Sequence, residues 1–134
     1  MEAAIVCVVV GLGVLGMLQL LAAGTMANNG STELTTAMGL ASNLHEYSLG
    51  VKYANVMTLD AQSFSPPVDA RLQPISNLTG WTQQMTVNYI DPNNLLSAGS
   101  KTPAQPTARL NVSISHNGAL IYTTSWLATA TTWP

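Results

Sequence analysis

The sequence predicts an α+β fold: one long N-terminal α-helix with a protruding apolar stem, packed on a small antiparallel β-sheet. Three observations point there. An apolar run from Ala3 to Ala23 passes into a helical pattern that reaches Leu49. Large and polar residues alternate from Trp81 to Tyr89, the period of a half-buried strand. Asn117-Gly118 then lies between two runs of strand-forming residues, a strong hairpin signal.

The helix comes first. Ala3 to Ala23 reads AAIVCVVVGLGVLGMLQLLAA, with Gln19 as its only polar side chain. As a helix this is about 31 Å long at ~1.5 Å per residue, close to the hydrocarbon thickness of a bilayer. Glu2 is the only charge before Glu33, and every Lys and Arg lies at or beyond Lys52. A carboxylate beside such a segment is costly in lipid and marks a functional position. The stem is too long for a signal-peptide core and has an acid, not a base, in front of it. A basic leader is therefore expected to have been removed, or to lie outside this sequence. No flanking Lys or Arg fixes its orientation.

The second half of the helix is amphipathic. Leu34, Ala37, Met38, Ala41, Leu44 and Ser48 follow the i, i+3, i+4, i+7 spacing, with Leu40, Tyr47 and Val51 beside them. Gly50 is the expected stop. Two soft spots interrupt good helix formers. Gly11, Gly13 and Gly16 each cost about 0.8–1 kcal/mol relative to Ala. Gly24 and Asn28-Asn29-Gly30 form the other. In an assembled fibre the stretch from about Gly11 to Gly16 is expected to lose regular helical bonding or stretch locally, with Gly24 to Gly30 as the competing place.

Beyond Leu49 the sheet domain begins. Val51, Tyr53, Met57 and Leu59 are expected to form a short strand, and Ser65-Pro66-Pro67 through Pro74 a loop. Trp81, Met85, Val87 and Tyr89 form the apolar face of a strand whose wet face carries Thr82, Gln84, Thr86 and Asn88. Asp91-Pro92-Asn93-Asn94 ends it, and Ser97–Pro106 is a surface loop. For the last hairpin a three-residue loop is expected, with Gly118 as a left-handed bulge residue. That register pairs Ile114 with Leu120, Val112 with Tyr122 and Ala108 with Trp126, placing the large side chains and Leu110 on one face. The organisation is then a stem (1–24), the amphipathic half-helix (25–50) and a sheet domain (51–134).

Composition narrows function. Charged residues make up 7% of the chain, against roughly 25% in ordinary soluble domains. Mean hydropathy is +0.24, so the apolar excess is local to the stem. With a net charge of −2 and no basic patch, nucleic acid is not an expected partner. His45 and His116 have no ligand-type residue at metal spacing, so no metal is expected. No nucleophile elbow or carboxylate pair points to an enzyme. The absence of Cys-x-x-Cys-His argues against covalent haem, and no cofactor is expected. Gly-x-Gly-x-x-Gly at 11, 13 and 16 lacks the preceding strand and following acid of a dinucleotide site. Cys7 is read as a small packed residue, and Trp81, Trp126 and Trp133 as core or groove fillers. Asn29, Asn77 and Asn111 open glycosylation sequons that are read as chance matches.

A helix apolar on every side is buried in lipid or among other helices, and its glycines let neighbouring backbones approach closely. MEAAIVCVVVGLGVLGMLQLLAAGT resembles the N-terminal segment of type IV pilins and of the related type II secretion pseudopilins. Those families open with a short apolar lead, a glutamate and about twenty apolar residues running into one long helix, followed by an antiparallel sheet. Here the glutamate is second rather than fifth, and the leader glycine before the cut is absent. The resemblance implies a pilin-like fold and a homo-oligomeric helical filament on the cell surface. The subunit would wait in the inner membrane by its stem and be handled by a prepilin peptidase and pilus assembly machinery. It also implies that Glu2 pairs with an N-terminal amine, that of Met1, in its own or a neighbouring subunit. Gly11, Gly13 and Gly16 would lie in the packed core. The expected function is a major structural pilin. Minor pilin or pseudopilin, and a single-pass anchored extracytoplasmic binding domain, are the alternatives.

Overall fold

The computed structural model describes residues 2–102 and 105–130, with the backbone alone for 2–9 and 11. The chain divides into two units, Met1–Thr35 and Thr36–Pro134. A single α-helix, α1 (Glu2–Leu49), runs through the first and into the second. Four strands follow in the second unit: β1 (Gln62–Phe64), β2 (Trp81–Ile90), β3 (Thr107–His116) and β4 (Ala119–Thr129). They form one antiparallel sheet in the order β1-β2-β3-β4. The long helix and the antiparallel sheet are those expected from the sequence.

In the first unit α1 stays helical through both glycine-containing stretches. Around the second stretch the hydroxyls of Thr25, Thr32 and Thr35 donate to the carbonyls of Leu21, Asn28 and Ser31, four residues back, at 2.8–3.0 Å. The threonines thus find partners inside the helix instead of opening it. The expected loss of helical bonding concerns the assembled fibre, and the single chain carries none.

In the second unit the end of α1 lies on one face of the sheet. Ala37, Leu40, Ala41 and Leu44 join Met85, Val87, Leu110, Val112 and Ile114 in one buried cluster. The buried stripe is turned toward Leu40 relative to the expected one, and Leu34 and Met38 are 42% and 50% exposed. The expectation fails there because positions 37, 40, 41 and 44 already fill a stripe of ordinary width, leaving 34 and 38 on its flank. The helix closes with two tight bonds, from the Gly50 N–H to Tyr47 O and from the Val51 N–H to Ser48 O, both 3.1 Å.

The expected strand at 51–59 is a 3₁₀ helix, Tyr53–Leu59. The period explains the correction. Tyr53, Val56 and Leu59 are three residues apart, the spacing at which 3₁₀ side chains eclipse, and Val56 and Leu59 are buried. The short strand β1 directly after it was not expected.

The last hairpin also departs from expectation. Its loop has two residues, with His116 opposite Ala119. Asn117 and Gly118 both lie in the left-handed region, φ 50° and 82°, as a type I′ turn requires. Alone, that turn would face Thr123 and Ser125 toward the core. A bulge corrects the phase: Ser115 pairs with Leu120 but Ile114 with Tyr122, leaving Ile121 as the extra residue. Tyr122, Thr124, Trp126 and Ala128 then share the face of Ile114, Val112, Leu110 and Ala108. Burial still selects that face, but through a bulge two residues beyond the turn. Leu120 is left 64% exposed.

The two edges of the sheet differ. On β2 the edge facing away from β3 is occupied from Gln83 to Tyr89. β1 pairs with Gln83–Met85. At Val87 the N–H donates to Asp60 Oδ1 (2.8 Å) and the carbonyl accepts from Lys101 Nζ. At Tyr89 both backbone groups bond Ser100 (2.7 and 2.8 Å). Gly99, at φ +82°, makes that last approach possible: a Cβ there would lie 2.7 Å from Asn88 Cβ and 2.9 Å from Tyr89 O. On β4, among the described residues, no strand pairs with the edge facing away from β3.

Candidate functional site

The candidate site is the apolar surface of α1 within the first unit. Val10, Leu12, Val14, Leu15, Met17, Leu18, Leu20, Leu21 and Met26 are each between 51% and 76% exposed. At 3.6 residues per turn these positions visit every side of the helix. A fully buried side chain of this kind gains about 1.5–3 kcal/mol on leaving water. Nine half-exposed ones leave on the order of 10 kcal/mol ungained, as much as the folding stability of a typical domain. Such a surface drives transfer to lipid or to other apolar helices.

Gly13 and Gly16 lie one helical turn apart on neighbouring positions of this surface. A Cβ built on either meets nothing within 4 Å. Nothing in the chain's own packing requires glycine there, so the bare backbone is available to a neighbour. Met1 and the side chains of Glu2 and Cys7 lie outside the description, and Gly11 is described by its backbone alone. Among the described residues no helix is long and apolar enough to cross a membrane. The side chains of Ala3 to Val9, at the start of the apolar run, are not among those described.

The second unit was expected to hold its aromatic residues as fillers, and each described tryptophan is set against a histidine. Trp81 is buried and stacks on His116 at 4.4 Å and 8°. Trp126 meets His45 edge-on at 4.7 Å and donates from Nε1 to Ser48 Oγ at 3.1 Å. The two histidines thus lie beside different tryptophans. Trp133 lies outside the described residues. No group of three His, Cys, Asp or Glu side chains able to hold a metal occurs among the described residues. Of the sequons, Asn29 is on an exposed helical position, Asn77 on an exposed turn and Asn111 in β3.

Grooves flank Trp126. One, of about 270 Å³, is lined by Met38, Ala41, His45, Tyr122 and Trp126 among others. The second, on the other side of the same indole and near 600 Å³, is lined by Leu49, Val51, Tyr53, Leu110 and Ala128. Tyr53 donates its hydroxyl to Gln105 O at 3.1 Å. Burial, with Tyr89 adding to it, raises the Tyr53 phenol above its ordinary value.

Two structural ties were not anticipated. Gln83 is wholly buried, accepting from the Val68 N–H (2.6 Å) and donating to Leu40 O (2.9 Å) and Val68 O (3.1 Å). The signal was its position, in phase with Trp81, Met85 and Val87 on the apolar side of β2. The second is the Asp60–Lys101 pair at 2.6 Å, whose sequence signal was a lone cation in an otherwise uncharged loop. Burial pushes the Asp60 carboxyl up. The hydrogen bond and charge of Lys101 and the N–H groups of Val87 and Ala61 outweigh it, so its value is lowered.

No family model, curated protein or solved structure matches the chain. The functional reading therefore rests on the helix and its surface.

Proposed function

We propose that this chain is the major structural subunit of an extracellular filament of the type IV pilin class. The observation that carries the reading is the apolar helical surface of residues 10–26, exposed on all sides in the single chain. Before assembly this stem sits in the inner membrane. In the filament it exchanges lipid for stems of neighbouring copies. Apolarity is similar in both places, so packing at Gly11, Gly13 and Gly16 and pairing of Glu2 with the Met1 amine set specificity. The reason for that pairing is electrostatic: a buried carboxylate without a partner costs several kcal/mol, and an α-amino group is the nearest cation. A prepilin peptidase and pilus assembly machinery are the partners this route requires.

The test is a deletion of residues 1–24. The truncated chain is expected to remain folded by circular dichroism and to give no fibres in negative-stain microscopy of sheared cell surfaces. Cells making the full chain are expected to give fibres that contain it. Fibres made of the truncated chain would overturn the proposal. A full chain found only in membranes, with no fibre, would favour an anchored binding domain.

A further inference from the structure

The two edges of the sheet point to a second interaction surface, separate from the stem. The β2 edge is sealed by a strand, a carboxylate–ammonium pair and a backbone bridge. The β4 edge has none of these among the described residues. Natural sheets blunt exposed edges with charge, proline, covering loops or shortness. β4 is 11 residues long, ALIYTTSWLAT, with no charge and no proline. Its one irregularity, the bulge at Ile121, lies near the hairpin tip, and residues 122–129 pair regularly with β3.

We propose that the free edge of β4 binds the same edge of a second copy of this chain, antiparallel and centred on Thr124. The sequence of the strand names the occupant. Read outward from Thr124, Tyr122-Thr-Thr-Ser-Trp126 is a chemical palindrome within the regular part of the strand. Antiparallel self-pairing sets Thr123 opposite Ser125 and Tyr122 opposite Trp126. Both cross-strand pairs are like with like: hydroxyl with hydroxyl and aromatic with aromatic. Such aromatic pairs are among the favourable cross-strand combinations, and no like charges oppose each other. The same patch serves both copies, as a two-fold contact requires.

Space is available for it. Tyr122 and Trp126 are only half-buried on the face where α1 lies. Beside them opens the groove of about 270 Å³ lined by Met38, Ala41 and His45. A second β4 laid along the edge brings its own Tyr122 and Trp126 to that side. A two-fold axis reverses chain direction, so copies sharing one bundle of parallel stems do not use this contact. It joins separate copies or separate fibres, and it stands whether or not the stems assemble.

The test is disulfide trapping in the full chain, in detergent micelles, on a Cys7→Ser background. Residues directly opposed in an antiparallel pair have Cα atoms about 4.5–5.5 Å apart, within disulfide range. Thr124→Cys is expected to form covalent dimer at least ~10-fold above Gln84→Cys, a control on the exposed face of β2. An equimolar mixture of Thr123→Cys and Ser125→Cys is expected to give mixed dimer well beyond the statistical excess that random pairing alone produces. Adding Ser125→Lys to Thr124→Cys is expected to lower its dimer yield several-fold. Thr124→Cys crosslinking at the control level would overturn the proposal. So would equal self-crosslinking at 123, 124 and 125, the signature of parallel stacking or of contacts brought about by the stems alone.

Discussion

Gln83 shows how much one amide can fix. It joins β2 to α1 and to the loop at Val68 through three hydrogen bonds in a site with no exposure. Gln83→Leu keeps the approximate volume but strands the Val68 N–H and carbonyl. Leaving buried backbone groups unpaired costs about 1–3 kcal/mol each, so a loss of about 3 kcal/mol is expected. Urea unfolding followed by tryptophan fluorescence measures it; an unchanged midpoint would show that the amide is dispensable. The sequence placed this residue on the apolar side of its strand, where a polar side chain demands partners. It did not reveal them, because one partner is a helix carbonyl 43 residues away and a carbonyl acceptor leaves no mark in sequence.

At the scale of elements, the Asp60–Lys101 pair acts as a strand substitute on β2. Asp60 has a folded value below its unfolded one. Its contribution is therefore fully present above about pH 4, the ordinary range of an aspartate, and is lost as pH falls through the lowered folded value. Thermal unfolding of the wild type is expected to drop steeply below pH 4. Asp60→Asn is expected to start less stable at pH 7 and to show a shallower fall; parallel pH profiles would contradict this. The elements themselves were legible to unequal degrees. The long helix, β2 and the final hairpin carry strong periodicity. The 3₁₀ helix was read as a strand because four apolar residues in nine fit period two loosely, and only burial of Val56 and Leu59 exposes period three. The hairpin register was missed because a turn and a bulge were treated as one choice. The chain uses both, and residue type at Asn117-Gly118 constrains only the turn.

For the whole molecule, the proposed task divides between a helix surface that seeks apolar company and a body that folds around its own core. Glu2→Ala is expected to leave the body's thermal unfolding unchanged and to cut fibre yield sharply, measured on sheared surface material. Normal fibres from that variant would make Glu2 an ordinary exposed acid at a helix N-terminus, where the helix dipole favours it. The candidate site was legible as a surface, since an apolar run with one isolated acid is visible without coordinates. The proposed roles of Met1 and Glu2 were legible only through resemblance, because an amine–carboxylate pair of the kind proposed has no signal in the sequence beyond the isolated acid itself.

The sealed edge of β2 also sets a valence. A sheet with two open edges can recruit copies without end, the geometry of fibrillar aggregation. In this body one edge is already satisfied by Asp60, Lys101, Ser100 and β1, so a copy that engages through β4 has no further edge to offer. In the proposed pairing, sheet association therefore stops at two copies, and growth of the proposed filament is left to the helix.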